Sequence, residues 1–109
     1  MDFTKITKTM ETSENCIALD ILKQKLKSKN EIIIIDVRSK EEFNEKHIPN
    51  AINIPLDKLE NEAKKFDKNK LCITVCGKGG NRSASGAEKL NQMKFNALWL
   101  CGGTFGWFE

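Results

Sequence analysis

Apolar residues along this chain follow two rhythms. Ile32–Ile35 and Leu71–Val75 are short continuous runs rich in β-branched residues, the pattern of strands buried on both faces of a parallel sheet. Ala51–Ile54, closed by Pro55, and Ala97–Leu100 read as two more strands. Between these runs the apolar positions shift to three- and four-residue spacing: Ala18, Leu19, Leu22 and Leu26; Leu59, Ala63 and Phe66; Ala84, Ala87 and Leu90. Each set predicts one helix. Ser13 is placed to cap the first helix and Asn30 to end it. Ser39, with Glu42 three residues on, predicts a capping box at the start of a further short helix. Residues 1–15 are polar and weakly patterned, a loosely ordered arm with a short strand expected at Phe3–Thr7. Strand and helix alternate throughout, so the expected fold is α/β, one domain over residues 1–109 with a mainly parallel sheet. Trp99, Trp107 and the phenylalanines are expected in its core.

Composition narrows the function. Charged residues make up 30% of the 109, yet the net charge is only +3. The lysines are interleaved with acids, as at Glu60, Glu62, Lys64 and Lys65, which is a solvated surface and not a nucleic-acid stripe. No apolar run approaches the ~20 residues that a membrane span requires. The first residues lack the apolar core of a signal peptide, so a cytoplasmic monomer is expected, with neither membrane nor nucleic acid as partner. Cysteines at 16, 72, 76 and 101 have no zinc spacing, and His47 is the sole histidine. No metal or cofactor is therefore expected. In a reducing compartment all four cysteines should be free thiols, with Cys16 and Cys72 in the core.

One cysteine stands apart. Val75-Cys76-Gly77-Lys78-Gly79-Gly80-Asn81-Arg82-Ser83 joins a strand to a helix, and open α/β sheets bind ligands at the carboxyl ends of their strands. The glycines let the backbone curl so that successive N–H groups face one centre. The following helix adds the positive end of its dipole, and Arg82 and Lys78 add charge. All these features stabilise an anion. A cysteine in such surroundings is expected to act as a nucleophile through its thiolate.

Four ordered segments resemble the rhodanese family. They are Asp36-Val37-Arg38-Ser39 with Glu42-Phe43; His47-Ile48-Pro49-Asn50-Ala51-Ile52-Asn53-Ile54-Pro55; the loop from Cys76 to Ser83; and Gly102-Gly103 with Trp107. Asn50 stands where the family most often has glycine, and both tolerate left-handed backbone. The resemblance spans roughly residues 5–109. It implies a three-layer fold with helices on both faces of the sheet. It also implies sulfurtransferase chemistry: Cys76 takes sulfur from a small anionic donor such as thiosulfate, becomes a persulfide, and passes the sulfur to a thiol, cyanide or a protein acceptor. Gly77, Lys78, Gly79, Gly80, Asn81, Arg82 and Ser83 would hold the anion, while Asp36, Arg38 and His47 would support the site.

Common rhodanese loops place the arginine five positions after the cysteine. Here it is six, from Cys76 to Arg82. This C-x5-R spacing resembles rhodanese-fold phosphatases and arsenate reductases, the first rival reading. A phosphatase gains from a positioned carboxylic acid, and the loop contains none; Asp36 and Glu42 are the two acids to consider nearby. The second rival is a module that only binds partners, a class that typically lacks the cysteine. A last expectation concerns Cys101. It ends a strand that neighbours the strand of Cys76 in the rhodanese fold, so it is a candidate resolving thiol for Cys76.

Overall fold

A computed structural model describes residues 16–27, 31–78 and 81–108. Its elements are β1 (Cys16–Ile17), α1 (Leu19–Lys27), β2 (Ile32–Asp36), α2 (Lys40–Glu45), β3 (Ile52–Asn53), α3 (Leu59–Ala63), β4 (Leu71–Val75), α4 (Asn81–Gln92), β5 (Asn96–Leu100) and α5 (Gly103–Trp107). The strands form one five-stranded sheet in the order β1-β5-β4-β2-β3, and every pairing is parallel. The α/β class and the parallel sheet expected from the sequence are both present.

β2 and β4 are buried on both faces because helices cover both. On one side Cys72, Ile35 and Ala97 pack with Leu59 and Ala63 of α3 and with Ala87 and Leu90 of α4. On the other, Ile34, Ile73, Val75 and Leu100 pack with Leu22 of α1 and against Trp107 of α5. Fully burying one such aliphatic side chain stabilises the fold by about 1.5–3 kcal/mol. α4 lies close on β4 through Gly86, where a Cβ would come within 3.3 Å of Leu59 Cδ2 and Thr74 Cγ2. The turn before β3 is made by Asn50 at φ 70°, the left-handed conformation that its side chain tolerates.

Three expectations are corrected. Cys16–Ile17 is an edge strand, where the first helix was expected to begin; the helix starts at Leu19, with the Ala18 carbonyl accepting from Leu22 N. Only Leu22 of this helix is buried, whereas Ala18 and Leu26 are exposed, because the helix turns Leu19 and Leu22 onto the sheet and leaves the other two positions facing away from it. Phe105 and Phe108 are exposed, at 46% and 44%; the chain has turned out of the core by then, and Trp107 alone of this aromatic end packs against it. The Phe3–Thr7 strand, the Ser13 cap and the Asn30 terminus lie outside the described residues.

Candidate active site

β4 carries Cys76 to the carboxyl edge of the sheet, where the residue is only 5% exposed. Its Sγ donates to Ser83 Oγ at 3.2 Å. Ser83 lies in the first turn of α4 and is fully buried, and its carbonyl accepts from Thr74 Oγ1 of β4 at 2.7 Å. The strand before the loop and the helix after it are thus joined directly behind the sulfur.

α5 braces the other side. Thr104 N donates to Cys76 O at 2.8 Å, and Phe105 N donates to Gly77 O at 2.9 Å. In a trans peptide the C=O and the next N–H point in opposite directions. Holding these two carbonyls against α5 therefore turns the N–H groups of Gly77 and Lys78 away from it. Phe105 lies over Gly77: a Cβ there would approach its ring edge to 3.3 Å, so a larger residue would displace the ring or the loop. Lys78 and Asn81 are exposed. Gly79 and Gly80 lie outside the described residues.

Arg82 points to Glu42. Its Nη1 reaches Glu42 Oε1 at 3.0 Å and its Nη2 reaches Oε2 at 3.3 Å, a bidentate pair on the surface with both side chains more than two-fifths exposed. The predicted capping box is also formed: Glu42 N donates to Ser39 Oγ, and Ser39 N donates to Glu42 Oε1. Glu42 therefore serves two partners through its two oxygens. The Arg82 guanidinium first, and the Ser39 amide second, pull the carboxyl down to about 2. The same pair raises the Arg82 pKa, with a smaller contribution from the nearby Cys76 sulfur.

Asp36 and Arg38 lie deeper, at 0% and 2% exposure. Arg38 Nε and Nη2 donate to the Asp36 carboxylate at 2.8–3.2 Å, and Nη2 also donates to Lys46 O at 2.7 Å. Hydrogen bonding to Asp36 holds the Arg38 pKa above its ordinary value. Asn53 Nδ2 donates to the carbonyls of both Asp36 and Arg38 and so ties β3 to this turn. His47 is exposed; its Nδ1 donates to Phe43 O at 2.9 Å and its ring stacks on Phe43 at 3.8 Å. It finishes the end of α2.

The cysteines require two corrections. Cys101 is disulfide-bonded to Cys16, with Cα atoms 5.0 Å apart, so only Cys72 and Cys76 are free thiols. Cys101 is accordingly not poised as a resolving thiol for Cys76. β5 does neighbour β4, but it also neighbours β1 on its other side, and that is where Cys101 finds its partner. Cys72 is fully buried, and burial pushes its thiol up to about 11, so it stays protonated and shielded. Among the described residues no group of His, Cys, Asp and Glu side chains is arranged to hold a metal ion, and no helix is long and apolar enough to cross a membrane.

The sequence points Glu42 to the capping box or to a nearby acid role, offers no role for Asn53, and points Cys16 to the core as a free thiol; Cys16 is instead half-buried on an edge strand and bonded to Cys101. None of the three contacts is local: Glu42 and Arg82 are 40 residues apart, Asn53 and Asp36 are 17 apart, and Cys16 and Cys101 are 85 apart.

The family model for the rhodanese-like domain matches residues 18–109. The chain belongs to the rhodanese-like family. This rhodanese-like chain is 32% identical to the putative sulfurtransferase YtwF of Bacillus subtilis, over 90% of its own length and 92% of YtwF. It is 35% identical to the thiosulfate sulfurtransferase GlpE of Coxiella burnetii, over 75% of its length and 77% of GlpE. It spans 44% of the putative sulfur carrier protein YrkF of Bacillus subtilis, at 34% identity. Among solved structures it superposes on a rhodanese-like domain protein from Staphylococcus aureus with a TM-score of 0.76 at 38% identity, covering 84% of this chain and 89% of that one.

Proposed function

We propose that this rhodanese-like chain is a sulfurtransferase that moves sulfane sulfur through a persulfide on Cys76. The Cys76 thiolate attacks the outer sulfur of thiosulfate. A Cys76–sulfur bond forms, the donor sulfur–sulfur bond breaks, and sulfite leaves with the bonding pair. A thiophilic acceptor, cyanide or a thiol, then takes the outer sulfur and restores the thiolate. Ser83 Oγ fixes the position of the sulfur, and the N–H groups of Gly77 and Lys78 are turned to face charge on the donor. A protein thiol or sulfur carrier fits the same acceptor role, in keeping with the sulfur carrier name of one relative. The chain acts as a monomer in the cytoplasm.

The carrying observation is the state of the two nearby acids. Glu42 is paired with Arg82 and held near 2, so it is ionised at any working pH. Asp36 is buried in its pair with Arg38. Neither is available to protonate an alcohol leaving group, and sulfur transfer needs no such proton because sulfite leaves as an anion. The six-position spacing from Cys76 to Arg82 favours the rival oxyanion reading, a phosphatase or arsenate reductase. One preparation assayed for thiosulfate-to-cyanide transfer and for aryl phosphate hydrolysis separates the two. Sulfur transfer with the higher kcat/KM is expected, and equal or faster phosphate hydrolysis would overturn the assignment. Inactivity in both assays would leave the partner-binding module.

A further inference from the structure

The Cys16–Cys101 disulfide lies outside the sulfur-transfer chemistry, yet it sits three residues from the brace of the loop. β1 is a two-residue edge strand, held to β5 by pairing at Cys16–Trp99 and Ile17–Leu100 and by Cys101 N donating to Ile17 O. Immediately after Cys101 the chain turns through Gly102 and Gly103, the latter at φ 65°. It then presents Thr104 N and Phe105 N to the carbonyls of Cys76 and Gly77. The covalent link thus anchors one end of a short segment whose other end positions the nucleophilic loop. Both cysteines are partly exposed and Gly102 beside them is exposed, so a thiolate has access to the bond.

We propose that Cys16–Cys101 is a second thiol-reactive site, a dithiol–disulfide couple exchanged by a dithiol reductant, and that its state sets the reactivity of Cys76 through the α5 brace. A reductant thiolate attacks one of the two sulfurs, the protein disulfide breaks, and the other cysteine leaves as a thiolate and takes a proton. The second thiol of the reductant then closes on its own sulfur and releases the first cysteine. Two electrons and two protons pass to the protein, and the reductant leaves as its disulfide. In the reduced form β1 keeps only its short pairing with β5, and residues 101–105 lose their covalent anchor. Local opening of this edge then becomes easier, and Cys76 is less tightly shielded.

The test uses the intact chain, freed of sulfane sulfur, equilibrated in dithiothreitol redox buffers of graded ratio. Thiols are trapped with an alkylating agent and assigned by peptide mapping. Reduction is expected to convert Cys16 and Cys101 together into alkylatable thiols and to speed Cys76 alkylation several-fold. Reoxidation should restore the slow rate. Cys16→Ser and Cys101→Ser should be locked in the fast state and insensitive to the buffer. Cys72, fully buried, reports global unfolding and should stay unlabelled. The proposal is overturned if the pair resists reduction in the folded protein, if Cys72 becomes labelled along with it, or if the pair opens while the Cys76 rate is unchanged. Alkylation does not depend on sulfur transfer, so a coupled pair in a protein inactive with thiosulfate would defeat the sulfurtransferase reading and leave this one standing.

Discussion

At the residue scale the proposed chemistry rests on Cys76, with Ser83 behind the sulfur and Arg82 beside the loop. Serine at 76 keeps the volume and removes the accessible anion; Cys76→Ser should abolish nearly all sulfur transfer with an unchanged circular dichroism spectrum, and substantial remaining turnover would exclude Cys76 as the nucleophile. Arg82 is harder to read from its type alone. Its guanidinium is occupied by Glu42, so an anionic donor has to compete with an internal carboxylate. Arg82→Ala should therefore lower kcat/KM for thiosulfate by roughly 10-fold, the lower end for one charge-assisted hydrogen bond. Glu42→Gln preserves the capping box, which glutamine also makes, and frees the guanidinium. A lower KM for thiosulfate is expected. Steady-state kinetics of both variants decide: if neither changes kcat/KM, Arg82 is a structural partner of α2 and takes no part in donor binding.

The elements place these groups by close contact. α4 brings Ser83 behind the sulfur only because Gly86 lets the helix lie tight on β4 and α3. Valine there would meet Leu59, Thr74 and Val37 at once. Overpacking of this kind costs about 1–3 kcal/mol. Gly86→Val should lower the denaturant midpoint accordingly and also raise the Cys76 alkylation rate, since the start of α4 moves with the helix. A normal midpoint would mean that α4 can shift outward without loss. α5 is only five residues long, and it meets the loop through two backbone amides and the Phe105 ring over Gly77; no side-chain substitution in the loop reproduces the amides.

Stability of the whole molecule should depend on pH at both ends of the scale, for two different groups. Glu42 is held near 2 in the fold against an ordinary 4.5. Its contribution is complete above about 4.5 and is lost as pH falls through 2, because the unfolded chain binds the proton first. Exposure to solvent keeps that contribution small. Cys72 works in the opposite sense. Burial raises its thiol from 9.0 to about 11. The unfolded chain therefore loses this proton first, so stability is complete below 9 and falls as pH rises through 11. Urea titrations across pH should show a plateau between these limits. Glu42→Gln should make the acid limb slightly shallower and Cys72→Ala should flatten the alkaline limb, each leaving the other unchanged. An alkaline limb that persists in Cys72→Ala would assign it to another group.

Some of this protein is written along the chain and some is not. The α/β class, the strands at β2 and β4, the Ser39–Glu42 capping box and the strand–cysteine–glycine–helix order around Cys76 all follow from local spacing. They depend on periodicity, on backbone preferences and on side chains a few residues apart, which the sequence displays directly. β1 was not legible, because two residues carry no period and a strand that short exists only through its pairing with β5. Nor was the partner of Arg82: an arginine beside a glycine-rich loop suits an anion or a carboxylate equally, and the fold alone brings Glu42 across 40 residues to meet it. The fate of Cys101 turned on the same principle. Its place at the end of β5 was readable, but a strand inside a sheet has two neighbours, and only the strand order puts Cys16 within bonding distance on the side away from Cys76.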